Sequence, residues 1–335
     1  MTRSASLWSP LGKVKFNSRQ RMKQIGNVFR IVIAPLVIAL AALSGCAKSD
    51  YADGLKIFNA GNFRDALPLF RSAAKDGNVD AEYHLGSMYY YGQGVTVDYG
   101  KAMNWLTKAA ESGNTESQLL VAGMYYGGEG VAADPSKALA WYKKANQGKA
   151  PSPAAEVMLG TMYHNGEGVP RNYGQAMAYF KDASARGMEV ADYTIGVMYM
   201  NGDGVPQDFA LAKSWLAKSA ASGDDLGEFA LGTMYFNGQG VPQDMRRAAK
   251  LFGESAKQGY RQAEFNLGAM YSNGWGVTRN LVQAHAWFNL ASAQGVKDAE
   301  IAREHVESKM STDQIKAAQK LAAMILAKQR KFRAR

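Results

Sequence analysis

The stretch LGTMYFNGQGVPQD, residues 231–244, has near-copies along most of the chain. Its tyrosine, Tyr235, has counterparts at Tyr89, Tyr125, Tyr163, Tyr199 and Tyr271. Successive steps are 36, 38, 36, 36 and 36 residues, the longer one absorbing an insertion around GKAPSP (148–153). Three residues after each tyrosine begins Gly-x-Gly-Val, at Gly92, Gly128, Gly166, Gly202, Gly238 and Gly274. An alanine follows in every copy (Ala102, Ala138, Ala176, Ala212, Ala248, Ala284), and three residues on stands Trp105, Trp141, Tyr179, Trp215, Leu251 or Trp287. A fixed period of this size marks stacked supersecondary units that bury their apolar faces against one another.

Each unit reads as two helices. Ala81, Leu85, Met88 and Tyr89 fall at i, i+4, i+7 and i+8, one face of a helix. Gly86 and its small counterparts sit where a neighbouring helix must come close, and Gly-x-Gly ends the helix, since glycine readily takes the left-handed conformation of a C-terminus. The second helix carries Ala102, Trp105, Leu106, Ala109 and Ala110 as its stripe. Gly113, Gly187, Gly223, Gly259 and Gly295 close it. At this point AEFNLGAMYSNGWGVTRNLVQAHAWFNLASAQG (263–295) resembles the Sel-one-like repeat (SLR), a branch of the tetratricopeptide superfamily. The resemblance covers six repeats, 78–113, 114–151, 152–187, 188–223, 224–259 and 260–295, and implies an all-α fold, a right-handed α-solenoid of stacked antiparallel helix pairs. Residues 51–77 keep the second-helix phase through Ala66, Leu69 and Phe70 but lack Gly-x-Gly-Val, and read as a tetratricopeptide-like first unit.

At the other end, residues 296–327 are expected to cap the array, with Arg303 and Glu304 at core positions, as a terminal unit needs for solubility. Ser311-Thr-Asp-Gln314 is a capping box, and Ile315, Ala318, Ala322 and Ile325 share one side of the helix after it. Residues 328–335 read as a basic tail, ordinarily a solvated, frayed terminus.

The front of the chain carries seven Lys and Arg in residues 1–30 and no acid, then thirteen apolar residues, IVIAPLVIALAAL (31–43). Thirteen helical residues span about 20 Å, short of the roughly 30 Å bilayer core, so this is a signal-peptide apolar region rather than a membrane span. Leu43-Ser44-Gly45-Cys46 resembles the lipobox of bacterial lipoproteins, and Cys46 is the only cysteine of 335 residues. That resemblance implies a signal peptide over 1–45, lipidation of Cys46, a lipidated linker over 46–50, and, with Ala47 rather than Asp after the cysteine, an outer-membrane protein facing the periplasm. MKQIGNVFR from Met22 is an ordinary short signal start, so translation is expected to begin there. Many secreted SLR proteins have disulfides within repeats; with Cys46 committed, stability here is expected to come from stacking alone.

The chain carries 39 Lys and Arg against 29 Asp and Glu. Removal of 1–45 leaves 32 against 29, and five of those positives lie in the final tail, so the basicity is no sign of nucleic-acid binding. No metal ligand set, cofactor or catalytic constellation is read. Ser72-Ala-Ala-Lys75 matches the Ser-x-x-Lys of penicillin-recognising enzymes, but without a Ser-Asp-Asn or Lys-Thr-Gly partner. A cell-wall-directed binder or enzyme, penicillin-binding or β-lactamase-like, is therefore the second reading the family resemblance carries. His84, His164, His285 and His305 read as scattered surface or groove residues, and Glu82, Glu156, Asp192, Glu228, Glu264 and Glu300, at one repeat position, as solvated or first-turn acids.

The variable first-helix positions are the candidate partner site. Position 83 and its counterparts include Tyr83, Tyr193 and Phe229; position 90 and its counterparts include Tyr90, Tyr126, His164, Met200 and Phe236. Resemblance to tetratricopeptide repeats places them along a concave groove, where an aromatic stripe suits a peptide. The other reading, strongest for position 83, is packing between adjacent first helices. The expected function is a non-catalytic protein–protein interaction scaffold, lipid-anchored in the bacterial envelope, for an envelope protein or peptide partner, in an export or secretion assembly.

Overall fold

The computed structural model describes residues 45–148 and 151–333. The expected signal segment over 1–44 and the end of the tail lie outside the described residues. Among the described residues are sixteen α-helices and no strand. They fall into two compact units, divided between Met188 and Glu189. The first unit holds α1 (Gly45–Asn59), α2 (Phe63–Lys75), α3 (Val79–Tyr91), α4 (Tyr99–Glu111), α5 (Thr115–Gly127), α6 (Pro135–Asn146), α7 (Pro153–Asn165) and α8 (Tyr173–Ala185). The second holds α9 (Glu189–Asn201), α10 (Phe209–Ala221), α11 (Asp225–Asn237), α12 (Met245–Lys257), α13 (Arg261–Asn273), α14 (Leu281–Ala293), α15 (Lys297–Glu307) and α16 (Thr312–Arg333). Within each unit an odd-numbered helix packs on the even-numbered helix after it, and that pair packs on the next, which is the expected solenoid of helix pairs. The exception is the end, where α16 packs on α14 rather than pairing with α15.

The recurring tyrosine is the hinge of each pair. Its carbonyl accepts the N–H of the residue nine positions on, Asp98 to Tyr89 at 3.0 Å and Asp134 to Tyr125 at 2.8 Å, and likewise in all six repeats. That residue, Asp98, Asp134, Asn172, Asp208, Asp244 or Asn280, is the N-cap of the second helix and accepts the N–H three residues ahead. The tyrosine ring lies under a second-helix cation twelve residues on in three repeats: Lys101 over Tyr89, Lys137 over Tyr125, Arg247 over Tyr235.

The two glycines of Gly-x-Gly have different tasks. The first is the left-handed cap of the first helix, as read from sequence. The second, also at positive φ, is the seat on the preceding pair: a Cβ on Gly130 would lie 2.6 Å from Tyr99 Cβ and 2.8 Å from its carbonyl carbon, at the N-terminus of α4. Small first-helix residues set the spacing inside a pair, and a Cβ on Gly86 would lie 2.7 Å from Leu106 Cγ.

Five of the six recurring acids are buried, not solvated. Glu82, Glu156, Asp192, Glu228 and Glu264 are 0–7% exposed, and only Glu300, at the end, is exposed. Each of the five sits in the first turn of its helix, where the helix dipole favours it, and is held from the end of the second helix of its pair. The partners are Lys108 for Glu82, Arg186 for Glu156, Lys218 for Asp192, Gln258 for Glu228 and Gln294 for Glu264. In the repeat without an acid, Gln118 instead donates to the Ala110 carbonyl. Burial pushes the Glu156 carboxyl up despite Arg186, and lifts Glu228, which has an amide and no cation, to about 7.

Three histidines are likewise interior. His84 stacks on Phe70 at 4.8 Å among Tyr51, Phe58 and Tyr83, and burial lowers its pKa to about 4. His285 is 2% exposed beside Glu307, and His164 is buried; His305 is exposed. Apolar neighbours took the ring of His84 as a flat filler, which no local pattern announces.

Both termini are more regular than expected. Residues 46–50 are the first turns of α1 rather than a linker, and α16 runs to Arg333 through the residues read as a tail. The capping box forms, Ser311 N–H to Gln314 Oε1 at 2.9 Å and Gln314 N–H to Ser311 Oγ at 3.3 Å. Near the far end of α16, Gln329, 3% exposed, donates to the Ala256 carbonyl at 2.7 Å and to Glu264 Oε1 at 2.8 Å. Beneath the helix, α14 presents buried Ala286 and Leu290 where α12 has Lys250 and Glu254.

Two outcomes test this account. Gly130→Ala meets both a left-handed backbone and a steric clash, whereas Gly113→Ala, at φ +92° with open space around it, meets strain alone. Gly113→Ala is expected to cost about 1 kcal/mol and Gly130→Ala at least about 3, measured by urea unfolding; equal costs would remove the seat from the account. Glu228, with a folded pKa above its unfolded value, contributes stability below about pH 4.5 that is lost as pH rises through about 7. Glu228→Gln is therefore expected to raise Tm by about 2 °C at pH 8 and to flatten the pH 5–7 dependence in thermal melts.

Candidate interaction surface

The structure separates the two sets of predicted partner residues. Tyr83, Tyr193 and Phe229 are 5–7% exposed and pack within their units, Phe229 5.5 Å from the Phe252 ring and 5.0 Å from Tyr260. Burial, the largest cause, raises the Tyr83 hydroxyl pKa, and the hydroxyl stays protonated. These residues are packing between helices, the alternative weighed for position 83.

Position 90 is different. Tyr90 is half-buried, its hydroxyl donates to Glu129 Oε2 at 2.6 Å, and its ring lies 4.8 Å from Tyr91 and 5.5 Å from Tyr99. Tyr126, also half-buried, donates to Glu167 in the same way. His164 is buried, with Nδ1 3.1 Å from Asn165 Oδ1 and its ring 5.1 Å from Tyr173. In the second unit Met200 is buried, and Phe236 lies half-buried with its ring 5.8 Å from Trp275. Cys46 stands in the first turn of α1; its side chain lies outside the described residues.

One partner set escaped the sequence reading. Glu129, Glu167 and Trp275 are each the middle residue of a Gly-x-Gly, and each meets the position-90 residue of the preceding repeat. The sequence signal is a matching at spacings of 39, 41 and 39: hydroxyl with carboxylate twice, ring with ring once. It was missed because the loop was read only as a helix stop. The result is a seam along the loop edge, of half-buried aromatic and acidic side chains in the first unit and of an aromatic pair in the second.

Ser72 and Lys75 lie on α2 around fully buried Ala73 and Ala74, so the Ser-x-x-Lys spacing is that of a packed helix. Among the described residues no group of three or more His, Cys, Asp or Glu is arranged to hold a metal ion, and no helix is long and apolar enough to cross a membrane.

The model of the Sel1 repeat family matches residues 79–114, 115–148, 153–188, 190–224, 226–260 and 261–296, together more than half of the chain. The chain belongs to the Sel1 repeat family. A solved Sel1 repeat protein from Oxalobacter formigenes is 28% identical, with a TM-score of 0.67, over 72% of this chain and 96% of that one. A protective antigen of uropathogenic Escherichia coli strains, described as having an SLR fold, is 24% identical, with a TM-score of 0.50, over 85% of this chain and 77% of that one. The second likeness shows the fold alone. No curated protein matches the chain.

The seam makes a measurable claim. Removing either partner of the Tyr90–Glu129 bond is expected to destabilise, and a cycle of Tyr90→Phe, Glu129→Gln and the double variant is expected to show coupling of about 1 kcal/mol by chemical unfolding. Additive costs would mean that the bond contributes nothing.

Proposed function

We propose that this Sel1 repeat protein is a non-catalytic protein–protein interaction scaffold, held by lipid on Cys46 in the bacterial cell envelope, facing the periplasm from the outer membrane and organising an export or secretion complex. The observation that carries the scaffold reading is the seam. Three repeats present a half-buried aromatic side chain at position 90, Tyr90 and Tyr126 in the first unit and Phe236 in the second, each fixed by a neighbour rather than free to turn, which limits the entropy lost when a partner docks. Aromatic anchors of this kind dominate protein interfaces. Support for the anchor is the position of Cys46. It directly follows a short apolar segment, and its backbone already belongs to α1, so lipid on it would hold the first helix pair at the bilayer surface.

Cross-linked capture from native membranes, read by mass spectrometry, tests the scaffold; metabolic labelling with an alkyne palmitate tests the anchor. The wild type is expected to take the label and to capture envelope proteins. Cys46→Ala is expected to lose the label and leave the membrane fraction. A Tyr90→Ser, Tyr126→Ser, Phe236→Ser variant that keeps its helical circular dichroism is expected to lose the captured set. An unlabelled wild type sinks the anchor, an unchanged captured set sinks the seam, and an empty capture by the wild type sinks the scaffold.

A further inference from the structure

Charge in this protein is sorted by helix. In the first unit, α3, α5 and α7 carry four acids and no Lys or Arg, while α2, α4, α6 and α8 carry nine Lys and Arg against three acids. The second unit repeats the division, with one base and five acids on α9, α11 and α13, and six bases and one acid on α10, α12 and α14. Net charge hides this, because the two sets nearly cancel.

Five of the nine first-helix acids are explained by burial in the pairs, and Asp80, Glu116, Glu189 and Asp225 are not. The bases of the second helices are only partly explained. In the first unit Lys101 pairs with Asp98, Lys137 with Asp134 and Lys108 with Glu82. Among the described residues, Arg64, Arg71, Lys75, Lys143, Lys144 and Lys181 have no carboxylate partner, Arg71 donating instead to the Tyr89 hydroxyl at 3.1 Å. Three of these, Arg71, Lys143 and Lys181, occupy one repeat position in α2, α6 and α8. Beside them runs a half-buried aromatic row, Trp105, Trp141 and Tyr179. Lys108 and Lys144 lie over the indoles, at 5.6 and 4.0 Å from the ring centres, and Lys143 lies over Tyr163 at 5.6 Å.

We infer that this second-helix face of the first unit binds an extended acidic segment of a protein partner. Each second helix packs on the first helix of the next pair rather than on the next second helix, and the α4 counterpart of this cation is Thr107, so a partner must be extended to reach the cations of successive helices. A carboxylate can accept from the ammonium while its stem lies against the ring edge, which carries partial positive charge. A lipid surface fits less well. The large apolar side chains exposed in this unit, Val97 and Tyr99, lie at the start of α4, away from the cation row, so nothing beside the row projects into acyl chains. The inference rests on the scaffold reading and places its partner on a face that the seam does not use.

The test uses the purified protein and a twelve-residue peptide, (Glu-Gly-Ser) four times over, with a second peptide, (Gln-Gly-Ser) four times over, as its uncharged counterpart. Binding is read by tryptophan fluorescence and calorimetry at several salt concentrations. The glutamate peptide is expected to bind more tightly than the glutamine one, and more weakly as salt rises. Lys143→Gln, Lys144→Gln, Lys181→Gln together are expected to raise Kd at least about tenfold. An equal charge change on α16, Lys309→Gln, Lys316→Gln, Lys320→Gln (Lys309 lying just before it), is expected to leave Kd unchanged. Circular dichroism checks that both variants fold. Equal weakening by both variants, equal affinity for both peptides, no binding by the wild type, or binding instead to phosphatidylglycerol vesicles lost in the first variant would each overturn the inference. If the peptide fails while the wild type still captures envelope proteins, this face is wrong and the scaffold stands; if both fail, both are wrong.

Discussion

Each unit depends on one backbone approach, the second glycine of a Gly-x-Gly against the first turn of the preceding pair's second helix within that unit. Gly130 on Tyr99, Gly168 on Pro135 and Gly276 on Met245 leave no room for a side chain. This contact fixes how far one pair stands from the next. The residue between the glycines is carried by the same turn, so its side chain is delivered to position 90 of the preceding repeat. The seam is thus a by-product of the stacking turn. Stability and surface chemistry are specified by the same three residues, and they are coupled wherever that loop changes.

A second constraint lies at the other end of the pairs. A carboxylate buried in the first turn of a helix is costly unless its charge is answered, and here the answer comes from the last turn of the partner helix. Lys108, Arg186 and Lys218 answer with charge, Gln258 and Gln294 with an amide. The chemistry of the pairing therefore changes along the array: Glu228, with an amide alone, is held near neutrality, and Glu264 takes a second amide from Gln329 on α16. The last helix is locked to the array by the polar groups that close each pair, and by apolar residues that α14 carries where α12 carries charge.

Sequence by itself determined the repeat, its length, the helix pairs, the capping box and the stripe that each helix buries. All of these follow from local rules: the 3.6-residue period, glycine at a left-handed cap, and a serine and a glutamine three residues apart. What only the tertiary structure decided involves residues far apart in the chain. The acid in each first turn looked solvated because its partner lies 26 to 30 residues away. His84 looked exposed because the rings around it come from α1, α2 and α3. Tyr83 and Tyr90, two turns apart on α3 and alike in composition, were separated into core and seam only by the neighbouring repeat that stacks against them. Periodicity says which residues share a face of a helix; whether that face meets solvent, a charge or another ring depends on the helices brought beside it, and distance along the chain does not encode that.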